Sequence, residues 1–147
     1  NFRWWLPADT DPQGEAAAAL ERADASVVPT RRLESVEAAY WCRIGERTHL
    51  RWALPEDEEP LLDAFARLAA AGALGLGERT RFVGTFRACG LLIPVWDLDP
   101  GAEAEAYEEP AAALRSRLDD ALAEPGPLTG EQRRARAGVV SRQLTLR

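Results

Sequence analysis

Twice between residues 36 and 97 the chain gives up a helical period for a period of two, and each such run is divided by a short turn signal. The first run extends from Val36 to Trp52 and is split at Gly45-Glu46; the second extends from Arg81 to Asp97 and is split near Cys89-Gly90. A two-residue turn with glycine at its first position suits the type II′ geometry that joins antiparallel strands. Two hairpins separated by a helical stretch cannot make a parallel α/β sheet, which needs a crossover between every pair of strands. They predict an α+β domain in which helices pack on an antiparallel sheet of four or more strands. Arg43 and Arg87, Trp52 and Trp96, and Leu54 and Leu98 match at an offset of forty-four, as though one hairpin-helix unit occurred twice.

The helical segments carry their own punctuation. Asp11 followed by Pro12 reads as a helix start for an Ala-rich stretch from Gln13 to about Ala25. Pro55 to Pro60 encloses four acids, which favour a helix N-terminus, and Leu61, Leu62, Phe65, Leu68 and Ala69 then recur at helical spacing. Gly72 stands where a C-terminal cap belongs, and Gly75 and Gly77 read as a connector, since a phosphate loop would precede a helix. A further helix is predicted after Pro110, with Leu114, Leu118 and Leu122 four apart, stopping at Pro125-Gly126. Thr129 and Gln132 form a capping box for a last helix, with Val139 to Leu146 as a strand or docked tail beyond it. The predicted order is therefore helix, hairpin, helix, hairpin, helix, all within one domain spanning residues 1–147. Pro94 cannot donate to a ladder and marks an edge or an irregularity.

Composition removes many chemistries. All 18 basic residues are arginine, methionine is absent and His49 is the only histidine. Without lysine there is no P-loop lysine, Schiff base or pyridoxal phosphate anchor. One histidine and two cysteines do not make an ordinary four-ligand zinc site, so neither a metal nor a cofactor is expected. A net charge of −6 argues against a nucleic-acid binder, and no apolar run approaches the ~20 residues of a membrane span. Charge is uneven: 97–124 holds nine acids against two arginines, whereas 128–147 holds five arginines against one acid. The basic end is expected to dock on the acidic helix of the same chain.

Three groups of residues are candidates for function. Alternation puts Arg47, His49 and Arg51 on one strand face, where two guanidinium forks beside an imidazole could hold a carboxylate or phosphate. With the turn at Gly45-Glu46, Cys42 falls opposite His49, the minimum for a cysteine nucleophile with a base, although no oxyanion donor or orienting partner is apparent. Trp4 and Trp5 are adjacent, so at least one is a candidate for an interface. Trp41, Trp52 and Trp96 belong to the core side of the strands. The cysteines have no disulfide spacing, which fits a reducing cytoplasm.

Four stretches carry a resemblance: Val28-Pro29-Thr30-Arg31-Arg32-Leu33, Ala39-Tyr40-Trp41-Cys42-Arg43-Ile44-Gly45, Arg47-Thr48-His49-Leu50-Arg51-Trp52-Ala53-Leu54-Pro55 and Ser141-Arg142-Gln143-Leu144-Thr145-Leu146-Arg147. Through them the chain resembles the C-terminal half of an actinobacterial family of unknown function. The resemblance implies a cytoplasmic protein about twice this length. The element order is also similar to the small α+β fold of type III secretion chaperones and YbjN-like proteins. On these grounds the expected role is a protein-interaction or chaperone-like module, binding another protein, its own N-terminal half or a second copy. An anion-binding domain using Arg47, His49 and Arg51 is the alternative, and a Cys42-dependent enzyme the remote one.

Overall fold

The computed structural model of the chain describes residues 30–144. Five strands form one antiparallel sheet: β1 Thr30–Arg32, β2 Ala39–Ile44, β3 Arg47–Trp52, β4 Arg81–Ala88 and β5 Leu91–Asp97, in the order β1-β2-β3-β5-β4. Three α-helices accompany it: α1 Glu58–Ala70, α2 Glu108–Ala123 and α3 Gly130–Ser141. A 3₁₀ turn at Ala104–Tyr107 leads into α2. The expected α+β class and the two hairpins are present, while the predicted helix at 13–25 and the Trp4-Trp5 pair lie outside the described residues.

The hairpins form where local chemistry demands them. Gly45 has φ +63, a value open to glycine at little cost, and the two-residue turn fixes the register Cys42↔His49 and Trp41↔Leu50. In the second hairpin Cys89 and Gly90 both have positive φ, 54 and 78, as a type I′ turn requires. The turns lie forty-four residues apart, and the sheet order joins the two hairpins through their equivalent inner strands, β3 and β5. That pairing runs His49↔Asp97, Leu50↔Trp96 and Arg51↔Val95.

Pro94 therefore lies in a central strand, and it is the irregularity, not an edge, that its missing N–H marks. The backbone N–H and C=O of its β4 partner Thr85 both point away from β5, the N–H donating to Arg142 O at 3.0 Å and the C=O accepting from Leu144 N at 2.7 Å. The proline nitrogen thus faces β3, where the ladder stops at Val95.

A bulge between Phe82 and Gly84 reverses the side-chain alternation within β4. Phe82 joins the helix-side core with Trp41, Leu50, Trp52 and Trp96, whereas Phe86 joins a second cluster with Tyr40, Ile93 and Val95. All three helices contribute to the first cluster. In α1, Leu61, Leu62, Phe65 and Leu68 are buried; in α2 the buried stripe is Ala111, Leu114, Leu118 and Ala121, with Leu122 only partly covered.

Helix ends follow the sequence closely. Gly72, at φ +69, closes α1 with Gly72 N→Ala69 O and Ala73 N→Leu68 O, the two bonds of a Schellman motif. The Thr129–Gln132 capping box opens α3 as expected. Helix α2 begins at Glu108, so Pro110 sits inside its first turn, where no N–H is needed. The basic segment does dock within the chain, but on α1: Arg136 meets Asp63 at 2.7 Å and Glu59 at 2.6 Å. Strand β1 has no signal of its own in Thr-Arg-Arg and exists through its pairing with β2.

After α3 the chain docks as a tail on the outer edge of β4, bridging Thr85 in parallel through Gln143. With its amide oxygen turned toward Arg87, Gln143 accepts from both terminal nitrogens of that guanidinium, at 2.7 and 3.1 Å. The approach is so close that a Cβ on Gly84 would lie 2.1 Å from Arg142 O. Gly84→Ala is therefore expected to dislodge the tail and cost about 1–3 kcal/mol. Urea denaturation would measure the loss, and accelerated amide exchange at Thr85 and Leu144 would locate it; unchanged exchange there would refute the assignment.

Candidate functional site

The residues singled out on the first hairpin come together on the sheet face opposite the helices. Cys42 is directly opposite His49, as the turn predicts, and β5 brings Asp97 directly opposite His49 on the other side. The result is a row Cys42–His49–Asp97 across three adjacent strands. Asp97 is the orienting carboxylate absent from the sequence reading, because its place depends on β3–β5 pairing. His49 Nδ1 approaches Asp97 Oδ1 to 2.9 Å, but off the N–H axis, so this buried nitrogen has no aligned hydrogen bond. The second carboxylate oxygen of Asp97 meets Arg81 Nη2 at 3.2 Å.

This row differs from an anion site in its charge. Asp97 adds a negative charge where the alternation suggested only positive ones. Burial lowers the His49 pKa most strongly; Asp97 opposes it, and Arg51 and Arg47 add to the lowering, so the net shift is downward. The imidazole is accordingly neutral near pH 7. Arg47 is exposed and Arg51 is half-buried. Cys42 is fully buried, at 0% exposure, while Cys89 stands exposed in the hairpin turn. Among the described residues no group of three His, Cys, Asp or Glu side chains could hold a metal ion.

A second site, not suggested by any motif, opens at one end of the helix layer. Between the C-terminal half of α1, the connector after it, the start of β4 and the last turns of α3 runs an open groove of about 590 Å³. Its floor is apolar, from Leu74, Phe82 and Val139, and small residues shape its walls, among them Gly75, Ala135 and Gly138. Thr80, Arg81 and Arg142 supply its polar side chains, and among the described residues no carboxylate lines it.

The connector forming one wall is fixed from several directions. Trp96 Nε1 donates to Leu74 O at 2.8 Å inside the core. Arg117 reaches from α2 to donate to Ala73 O and Gly75 O, both at 3.1 Å. The Thr80 hydroxyl accepts from Leu76 N at 3.0 Å and donates to Gly77 O at 2.7 Å. These bonds hold the connector wall of the groove in place. The three glycines read as a cap and connector do serve as one, and the connector also makes a wall.

The chain belongs to DUF5926, a family of unknown function, whose model matches residues 1–147. No curated protein and no solved structure matches the chain. No helix among the described residues is long and apolar enough to cross a membrane.

Two measurements test the description of the row. Because the folded state lowers the His49 pKa, the unfolded chain takes up the proton first as pH falls. The contribution of His49 to stability is therefore full above about pH 6.5, the ordinary histidine value, and is lost below it as pH approaches the lower folded pKa. Urea midpoints at pH 7.5 and 5.5 should fall more for the wild type than for His49→Gln; an equal fall in both would contradict the shift. A thiol reagent should titrate Cys89 rapidly in the native protein and Cys42 only in denaturant. Rapid native reaction of both thiols would show that Cys42 is accessible.

Proposed function

We propose that this DUF5926 domain works as a protein-binding module, with the groove between α1, β4 and α3 as its binding site. The observation that carries the reading is the combination of an apolar floor, small-residue walls and a connector held by Trp96, Arg117 and Thr80. An open site of about 590 Å³ falls within the range of binding clefts, and a wall already held in place lowers the entropic cost of binding. Chaperone-like action in an actinobacterial cytoplasm is the setting we propose for it.

The row at Cys42, His49 and Asp97 supports a binding role more weakly. An anion at Arg47 and Arg51 would sit beside Asp97 and a neutral imidazole, which offer it little. A nucleophilic Cys42 would need an approach for substrate, and its side chain has no exposed surface.

Gly138 gives a clean test, because a Cβ placed there meets nothing within 4 Å and its φ is not positive. Gly138→Ala should leave the groove open and raise stability by about 0.5–1 kcal/mol, through the reduced freedom of the unfolded chain. Gly138→Trp should preserve the circular dichroism spectrum while filling the groove. In affinity capture from the native host, a stoichiometric partner held by wild type and Gly138→Ala should be lost by Gly138→Trp. Retention by Gly138→Trp but loss in the triple variant Arg47→Ala/His49→Ala/Arg51→Ala would move the site to the sheet face.

A further inference from the structure

We infer that the groove takes an acidic, extended peptide segment, with an apolar side chain on its floor and a carboxylate on Arg142. The inference rests on the groove being the binding site and adds the chemistry of what enters it. Its basis is the arrangement of charge. Arginine is the only side-chain cation besides His49, and across the described residues the guanidinium groups are repeatedly matched by acids. Arg43 pairs with Glu103, Arg67 with Glu124, Arg115 with Glu56 and Asp119, and Arg136 with Glu59 and Asp63.

Arg142 makes no ion pair among the described residues, as Arg47, Arg117, Arg133 and Arg134 make none, and of these five it is the one that lines the groove. Arg81 stands in the same lining, and its side chain is 77% exposed, so its contact with Asp97 at 3.2 Å leaves most of its fork facing solvent. In a chain of net charge −6, the described residues thus line this groove with two guanidinium groups and no carboxylate. Guanidinium forks favour carboxylates geometrically as well as by charge. The open shape and the small walls leave room for a main chain, while Leu74, Phe82 and Val139 offer an apolar seat.

Arg142 also follows the last turn of α3, where a cation complements the helix dipole. That structural role would affect stability and leave ligand preference untouched, so the two roles separate experimentally. The 147-residue chain would be used to select from a phage-displayed library of random dodecapeptides, and selected peptides would be measured by fluorescence anisotropy. The expected peptides carry several Asp or Glu residues flanking an apolar one. Their affinity should fall about tenfold or more for Arg142→Gln, recover in part for Arg142→Lys, and fall similarly when peptide acids become amides. Added salt should weaken binding.

Each outcome decides between levels of the reading. Peptides without acidic enrichment, or affinity indifferent to Arg142→Gln while Gly138→Trp abolishes binding, would overturn the acidic ligand and keep the groove. Indifference to both variants, or no enriched peptide, would overturn the peptide proposal. A rise in melting temperature with glutarate or inorganic phosphate that depends on Arg142, without peptide binding, would replace it by a small-anion site.

Discussion

Trp96 is the residue on which the two halves of the sheet and the groove all depend. On β5 it lies opposite Leu50 of β3 and Phe82 of β4, so its ring covers the seam where the hairpins meet. It packs against Trp52 at 6.2 Å and edge-on to Phe82 at 5.7 Å, and Phe82 in turn meets Phe65 of α1 at 6.1 Å. Aromatic contacts at tilted angles suit the ring quadrupoles, and each ring brings a large apolar area out of water. The indole N–H needs a partner in that interior, and it finds one in Leu74 O. One side chain therefore joins hairpin to hairpin, sheet to α1, and core to connector. The bulge at Val83 serves the same end. Without it Phe82 and Phe86 would share a face, and the helix-side core would lose the ring that links Trp96 to Phe65.

Around this core, arginine fixes how the helices sit. Arg87 of β4 holds Glu58 at the start of α1 through Nε at 2.6 Å, and the same guanidinium meets Gln143 of the tail. Arg115 of α2 reaches Glu56 ahead of α1, and Arg136 of α3 spans Glu59 and Asp63. Exposed pairs of this kind are worth little singly, often 0–1 kcal/mol. Their directional forks nevertheless select one arrangement among several that apolar packing would tolerate. Glu108 plays the converse part. Burial alone would raise its pKa, but the N–H groups of Glu34 and Ser35 and the Ser35 hydroxyl outweigh burial and hold it low, so an ionised carboxylate ties β1's exit to α2.

What could be read from the sequence was whatever local chemistry decides. Gly45-Glu46 sets a register, and the register puts Cys42 opposite His49. Cys89-Gly90, Gly72 and the Thr129–Gln132 box each determine a turn or a helix end within a few residues of themselves. What could not be read depends on contacts between distant segments. Strand β1 is defined by β2, since Thr-Arg-Arg has no apolar alternation. Asp97 meets His49 only because β3 pairs with β5, and the partner of Arg136 is α1, though the stretch 97–124 that contains α2 holds nine acids against two arginines. The offset of forty-four was the one long-range signal available. It locates the equivalent turns and inner strands, but not the order in which those strands pair.

The contrast between the two sites follows from the same division. The row on the sheet was visible because alternation places residues on faces, and chemistry-bearing residues on one face invite a functional reading. Its surroundings are a buried thiol, an imidazole whose pKa is lowered and a carboxylate shared with Arg81. The groove carries no motif, because glycine and alanine are what its walls require and such residues are read first as caps and spacers. Its shape comes from two distant anchors on one connector, Trp96 and Arg117, with Thr80 close by, and its charge comes in part from Arg142, which makes no ion pair among the described residues. An apolar-floored space lined by Arg81 and Arg142, and by no carboxylate among the described residues, is where the proposed partner's carboxylate would fit.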